Sequence, residues 1–88
     1  MKVRDGFILR EVGGQPVVVP VGAASQVFNG MIKLNKTGAF LFELLQSETT
    51  EDALVEALLE KYEIDEETAK GDVQSFVEIF RKARILED

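Results

Sequence analysis

The chain has 88 residues, a formal net charge of -6 at neutral pH, and neither cysteine nor histidine. This length predicts a single domain, residues 1–88, with one modest core. The missing thiol and imidazole groups exclude disulfides, metal sites built on those ligands, and catalysis by a cysteine nucleophile or a histidine base. The acidic balance disfavours binding to nucleic acid, because affinity for phosphate backbones depends on clustered Lys and Arg.

The first residues carry several charges, at Lys2, Arg4, Asp5 and Arg10, so they contain no long apolar core of a secretion signal. No run in the sequence approaches the roughly 20 apolar residues of a membrane span. We therefore expect a cytoplasmic protein with no membrane partner.

Two β-rich runs, Phe7 to Val12 and Gln15 to Val21, flank the dipeptide Gly13-Gly14. Two glycines supply the positive φ angles of a two-residue turn, so the runs predict a β-hairpin. The second run, QPVVVPV, is apolar on both faces, which is typical of a strand covered on both sides. Its two prolines lack backbone donors and favour a sheet edge, so part of this run is predicted to be an edge strand.

The segment GAASQVFNG, residues 22–30, is predicted to be a mobile connection. For its apolar side chains, Val27 and Phe28, packing over the rim of the core is favoured over contact with a partner. The next four residues, Met31 to Leu34, have strand character and run straight into Asn35, with no hairpin partner after them. One edge of this third strand is therefore predicted to lack a neighbour that follows it in the chain.

From Asn35 onward the pattern predicts three helices, each with a capping residue at its start. Asn35 caps a buried helix in KTGAFLFELL, Thr49 or Thr50 caps the second helix, and Asp65 caps the third and longest. The predicted core stripe of the second helix is Leu54, Val55, Leu58, Leu59 and Tyr62. The predicted stripe of the third helix is Ala69, Val73, Phe76, Val77, Phe80 and Ala83, and Ile79 lies well off that stripe.

Clustered carboxylates could serve acid–base chemistry or hold a divalent metal, but here most of them fall at helix starts. Glu51 with Asp52, and Asp65 with the following two glutamates, sit where the helix dipole favours negative charge. Capping explains them better than a metal site does. The serines and Tyr62 have no activating base, and the glycines form no phosphate-binding loop. The sequence therefore predicts no enzyme and no cofactor.

A hairpin, a third strand and three helices make a winged-helix-like α+β fold, with an N-terminal three-stranded antiparallel sheet followed by a three-helix bundle. Within this order, the segments DGFILREVGGQPVVVPVG, FNGMIKLNKTGAFLFELL and TEDALVEALLEKYEIDEETAKGDVQSFVEIFRKARILE resemble the PqqD family. The resemblance runs from about Lys2 to Glu87. Its most specific part is Leu34-Asn35-x-Thr37-Gly38, together with Asp72-Val73 and Phe76 in the last helix.

The resemblance implies a peptide chaperone, also called a RiPP recognition element. Such a protein captures the leader region of a ribosomally made precursor peptide and presents it to a modifying enzyme, commonly a radical SAM protein. In the family the leader adds as an antiparallel strand to the third strand, in a groove closed by the third helix. Carried onto this sequence, the peptide-binding residues are Met31, Ile32, Lys33, Leu34, Val73, Phe76, Val77 and Phe80, with Arg81 as an electrostatic contact.

Two features of the last helix and its end bear on this prediction. Lys70, Arg81 and Arg84 form a basic row, for which a solvated flank is favoured over contacts to an acidic leader. The family often has a Gly just after this helix, whereas this chain reads Ala83-Arg84-Ile85-Leu86. The path of the last residues is therefore open, because Gly is the usual left-handed cap at a helix end.

Two other functions use the same set of elements. A homodimeric adaptor could cover the exposed strand with a second copy, by edge pairing or by exchange through residues 22–30. A winged-helix DNA-binding domain would need a basic recognition helix, whereas the third helix starts with DEET. Peptide binding is the preferred hypothesis.

Overall fold

The structure is a computed structural model that describes residues 1–27 and 30–88. The predictions made for Phe28 and for the side chain of Val27 lie outside the described residues. In chain order the elements are β1 (Lys2–Val3), β2 (Phe7–Val12), β3 (Gln15–Pro20), α1 (Ala24–Val27), β4 (Ile32–Lys33), α2 (Lys36–Leu44), α3 (Glu51–Lys61), α4 (Glu66–Lys82) and β5 (Leu86–Glu87). The predicted α+β fold, with a three-stranded antiparallel sheet and helices, is confirmed.

The main sheet has the order β2-β3-β4, so β3 is the central strand. The prediction that part of this strand lies at a sheet edge, made from its prolines, is wrong. Pro16 and Pro20 stand opposite Glu11 and Phe7 of β2. The turn-closing pair of a two-residue hairpin is hydrogen-bonded, and such pairs alternate with non-hydrogen-bonded ones. Both prolines fall in non-hydrogen-bonded pairs, so β2 requires no N–H from either of them.

Strand β4 is shorter than the predicted strand Met31–Leu34. It pairs with β3 over two residues, Ile32 opposite Val18 and Lys33 opposite Val17. Leu34 extends the ladder by one bond, because its N–H donates to the carbonyl of Pro16 at 2.9 Å. Within the part of the chain that the structure describes, no strand pairs with the outer edge of β4.

The three long helices begin at side-chain caps. Asn35 accepts from the N–H of Gly38 at 2.8 Å, and Asp65 accepts from the N–H of Thr68 at 2.7 Å, as predicted. At the second helix the cap is Thr50, which accepts from Ala53. Hydrogen bonds from Thr68 lower the pKa of the Asp65 carboxyl group, so the ionised cap is the form that the fold favours.

The core lies between the sheet and the helices. Its fully buried large side chains are Phe42, Phe80, Leu41, Leu45, Leu54, Leu58, Ile85, Val17, Val18, Val73 and Val77. Phe40 and Leu44 of α2 are only half-buried, because Leu41 and Phe42 of α2 and Leu45 just after it face the core. Leu59 belongs to the predicted stripe of α3 but is exposed.

The sequence patterns missed three short elements, α1, β1 and β5. The short helix α1 lies within the segment that was predicted to be a mobile connection. Strand β1 pairs antiparallel with β5, so that Val3 stands opposite Leu86 and the first residues lie beside the last. Among the described residues, no helix is long and apolar enough to cross a membrane.

The end of α4 shows how the chain manages without the glycine that the family often has there. Arg84 adopts a left-handed backbone conformation with a φ of 60°. Its N–H donates to Arg81 at 3.0 Å, and the N–H of Ile85 donates to Phe80 at 2.9 Å. This pair of bonds is the Schellman motif, in which a left-handed residue directs the chain away from the helix. The helix therefore ends in the usual geometry with an unusual residue.

Candidate functional site

A groove of about 220 Å³ separates strand β4 from helix α4. One wall comes from β4 and the first turns of α2, and the other wall comes from one face of α4. The lining residues are Lys33, Leu34, Asn35, Thr37, Gly38, Leu41, Asp72, Ser75, Phe76 and Ile79. The groove therefore runs beside the strand edge that has no described neighbour.

The α4 wall consists of Asp72, Ser75, Phe76 and Ile79. These residues are spaced at i, i+3, i+4 and i+7, so they share one face of the helix. Phe76 is almost buried, while Ile79 is 54% exposed. The ring of Phe76 stacks on that of Phe80, with centroids 4.2 Å apart and planes 14° apart. This stacking fixes the orientation of the aromatic floor, and Ile79 presents apolar surface at the rim.

The opposite wall contains the motif Leu34-Asn35-x-Thr37-Gly38, whose parts have separate physical roles. Asn35 ends the strand and caps α2. A Cβ atom on Gly38 would lie only 3.3 Å from side-chain atoms of Leu34, which is tighter than ordinary packing. The absence of a side chain at Gly38 therefore lets the first turn of α2 pack closely on Leu34.

The backbone of Lys33 faces the groove edge. In an antiparallel ladder, successive residues direct their N–H and C=O groups to opposite sides of the strand. Leu34 donates its N–H inward to Pro16, so Lys33, one residue earlier, directs its donor and acceptor outward. Ile32 directs its own groups inward to β3. The open edge therefore offers the main-chain groups of Lys33, with the face of α4 across from them.

The structure brings three of the predicted site residues together in the groove, namely Lys33, Leu34 and Phe76. Ile32 is partly buried and packs against the core, and Met31 is exposed outside the lining. Val73, Val77 and Phe80 are core residues with almost no exposed surface. Contact of any of these residues with a peptide stays a prediction.

The basic residues predicted to form a row along the last helix have different neighbours. Lys70 pairs with Glu66 at 3.4 Å within α4. Arg81 lies outside the groove lining and donates to Asp88 at 2.8 Å, and this hydrogen bond lowers the pKa of the Asp88 carboxyl group. Arg84 lines a different cavity. A direct contact of Arg81 with a peptide likewise stays a prediction, but its guanidinium already has a partner.

Sequence reasoning missed Asp72, Ser75 and Ile79 as groove residues. The available signal was Ile79, a large apolar residue that lies off the core stripe of its own helix. A single exposed apolar side chain is common on protein surfaces, so Ile79 by itself is only a weak signal. The position of β4 was also needed, because it decides which exposed face of α4 becomes a groove wall.

The groove supplies main-chain hydrogen-bonding groups on one side and, on the other, the apolar side chains of Phe76 and Ile79 beside the polar Asp72 and Ser75. Within residues 1–27 and 30–88, no group of three or more carboxylates is placed to hold a metal ion. Main-chain groups beside apolar pockets are the features that recognise an extended peptide by strand addition. The fold and this site thus define a small α+β domain with an open strand edge facing a helix.

A family comparison agrees with this class. The family model of Coenzyme PQQ synthesis protein D (PqqD) matches residues 7–86. The chain therefore belongs to the PqqD family, which confirms the resemblance seen in the sequence. No curated protein matches the sequence.

Two solved structures share the fold. One is TbiB1 in complex with the TbiA(beta) leader peptide, with a TM-score of 0.75, 20% sequence identity, and coverage of 99% of this chain and 95% of that chain. The other is lasso peptide synthetase B1 complexed with the leader peptide, with a TM-score of 0.68, 16% identity, and coverage of 92% and 89%. At these identities the likeness shows a common fold.

Proposed function

We propose that this protein is a non-catalytic RiPP recognition element. It binds the leader region of a ribosomally made precursor peptide as an added antiparallel strand on the outer edge of β4. Helix α4 forms the opposite wall. The domain then presents the precursor to a modifying enzyme, for which a radical SAM protein is the expected partner.

The observation that carries this proposal is the outward-facing backbone of Lys33 beside the apolar side chains of Phe76 and Ile79 on α4. The bond from Leu34 to Pro16 supports this direction of the Lys33 groups. Phe76 and Ile79 lie across the groove from that edge. Membership of the PqqD family supports the proposal, as does the fold shared with two proteins that were solved with leader peptides.

The size of the site is compatible with moderate affinity. An added strand gains main-chain hydrogen bonds along β4, and alternate side chains of the peptide point toward the groove floor. Two or three apolar anchors on Phe76 and Ile79, together with this pairing, suit a Kd of about 1 μM, or about 8 kcal/mol at the standard state. Area alone does not set this value, because ordering a disordered peptide opposes binding.

The lining also indicates a charge preference. Lys33 on the strand and Asp72 on the helix are exposed residues of opposite sign at the two walls. A leader with an acidic residue near Lys33 and a basic residue near Asp72 would be favoured over one with the reverse order. Such exposed pairs contribute only about 0.2–1 kcal/mol each, so they adjust selectivity and do not dominate affinity.

The test is amide chemical-shift mapping of the full 88-residue protein, titrated with the leader segment of the precursor encoded beside its gene. We expect saturable shifts at residues 31–38 and 72–79. Shifts that avoid both ranges would rule out strand addition. Sizing at several protein concentrations separates this outcome from a homodimer, since a second copy on β4 would give concentration-dependent mass and would compete with the leader.

A further inference from the structure

A second cavity lies away from the peptide groove, where the turn between β1 and β2 meets the end of α4. It holds about 560 Å³, against about 220 Å³ for the groove. Its lining residues are Arg4, Asp5, Phe7, Ala23, Ala24, Ala83 and Arg84. None of these residues lines the groove, so the two sites can be occupied at the same time.

The cavity has an apolar interior and a basic mouth. Phe7 is buried and the alanines carry only methyl groups, while both arginines are exposed. A backbone bond from Arg4 to Ile85, 2.7 Å long, holds the two arginine-bearing segments side by side. Among the described residues, neither guanidinium lies within ion-pair distance of a carboxylate. The lining carries two positive charges against the single negative charge of Asp5.

Arg84 also has a backbone conformation that favours glycine. A φ of 60° lowers the stability of the fold when the residue has a Cβ atom, whereas glycine adopts this angle without that cost. A residue kept in a strained conformation motivates a search for a role of its side chain. Here the side chain supplies half of the positive charge at the mouth of the cavity.

We propose that this cavity is the docking site for the modifying enzyme. An acidic segment of the enzyme binds here and places an apolar side chain between Arg4 and Arg84. We choose an acidic occupant because of charge complementarity. Two neighbouring arginines that have no ion-pair partner among the described residues favour the binding of carboxylates. The assignment rests on the proposed leader binding, because that function requires an enzyme to be brought to the bound peptide.

The position of the cavity fits this role. Phe7 pairs with Pro20 at the end of β3, and β4 begins toward that same end because Ile32 is opposite Val18 and Lys33 opposite Val17. A peptide antiparallel to β4 has its carboxyl end there. Because a leader precedes the segment that is modified, that segment leaves the groove at the end of the sheet where the enzyme would dock.

The test uses a probe of the proposed chemistry, acetyl-Glu-Leu-Asp-Glu-amide, and its uncharged counterpart acetyl-Gln-Leu-Asn-Gln-amide, each titrated into the labelled full-length protein. We expect the acidic peptide, but not the uncharged one, to shift the amide signals of residues 4–7, 23–24 and 83–85. Arg4→Gln and Arg84→Gln should each raise its Kd about fivefold. Arg10→Gln, which removes the same charge from an exposed residue outside the cavity, is the matched control.

Several results would overturn the proposal. These are equal binding of the uncharged peptide, no binding of either peptide, shifts confined to the groove, or an unchanged Kd in Arg84→Gln. The same follows if the precursor's leader shifts the cavity amides and displaces the probe. Lys33→Pro separates the two proposals, because it should remove leader binding while the acidic probe still binds.

Discussion

The side-chain amide of Gln15 donates to the backbone carbonyl of Leu34 at 2.5 Å. In this register the backbone N of Pro16 faces that carbonyl, because Leu34 donates its own N–H to Pro16, but proline has no N–H to return. Gln15 therefore supplies the hydrogen bond that its neighbour cannot. Because the Gln15 side chain replaces the missing donor, a strand that contains proline still holds β4 in place and keeps the groove edge aligned.

The Gln15 bond can be tested by removal and rescue. Gln15→Ala should lower the free energy of unfolding by about 1 kcal/mol, the usual net value of a hydrogen bond, and should weaken leader binding. Adding Pro16→Ala to that variant restores an N–H at the strand itself and should recover both losses. Urea unfolding of the single and double variants measures the free energy of unfolding, and titration with the leader measures the binding. A double variant no better than Gln15→Ala would contradict the assigned role.

Proline scanning of β4 distinguishes its two edges. Lys33→Pro removes an outward N–H, so this variant should stay folded by circular dichroism and lose leader binding. Ile32→Pro removes an inward N–H that pairs with β3, so it should lose stability. Titration calorimetry and thermal unfolding of the two variants check the pair. Leader binding that survives Lys33→Pro at wild-type affinity would place the peptide elsewhere.

Ile79 separates recognition from stability. It is 54% exposed on a helix, so Ile79→Ala should change the free energy of unfolding by less than about 0.5 kcal/mol. Because Ile79 lines the groove, the same change should weaken leader binding several-fold. Leu59→Ala on α3 is the matched control, since Leu59 is also exposed but lies outside the groove lining. Equal effects of the two variants on leader affinity would remove Ile79 from the site.

Phe76 serves both the core and the groove. Its side chain is 6% exposed and stacks on Phe80. Phe76→Ala should cost about 3–5 kcal/mol, as large-to-small aromatic changes in a core do, and this is a large part of the stability of a domain this small. Thermal unfolding measures the effect. A melting temperature equal to that of the wild type would show that Phe76 is not a core residue.

Arg84 gives a prediction of opposite sign. Arg84→Gly should raise the free energy of unfolding by about 1 kcal/mol, because glycine adopts the left-handed conformation without the clash of a Cβ atom. Arg84→Ala keeps the Cβ atom and removes the charge, so it should show no comparable gain. Chemical denaturation of both variants decides this. A less stable Arg84→Gly protein would mean that the arginine side chain itself stabilises the fold.

Local chemistry made parts of this fold predictable. Asn35 and Asp65 cap their helices through bonds to residues three positions later, and Gly13-Gly14 forms its turn through its own backbone angles. The pairing of Val3 with Leu86 has no local signal, since two-residue strands at opposite ends of the chain carry no pattern. The central position of β3 was missed because the replacement of a proline N–H by the Gln15 side chain depends on tertiary contacts.

The candidate site was predictable only in part, because some of its residues are identified by tertiary contacts alone. Lys33, Leu34 and Phe76 were predicted through the resemblance to the PqqD family, which implies a site between the third strand and the third helix, and they line the groove. Asp72 and Ser75 could not be predicted, because they look like any solvated face until β4 is positioned against α4. Arg81 was chosen for its charge, but its pairing with Asp88 joins residues whose proximity depends on the turn after α4.

The shortness of β4 has a kinetic consequence. A strand of two residues offers a bound peptide few main-chain hydrogen bonds, so we expect weak binding, with a Kd of about 1 μM. With an association rate constant of about 10⁶ M⁻¹s⁻¹, typical of specific docking, the residence time of a leader is about one second. A single copy of the domain would then exchange one precursor for the next without any separate release step.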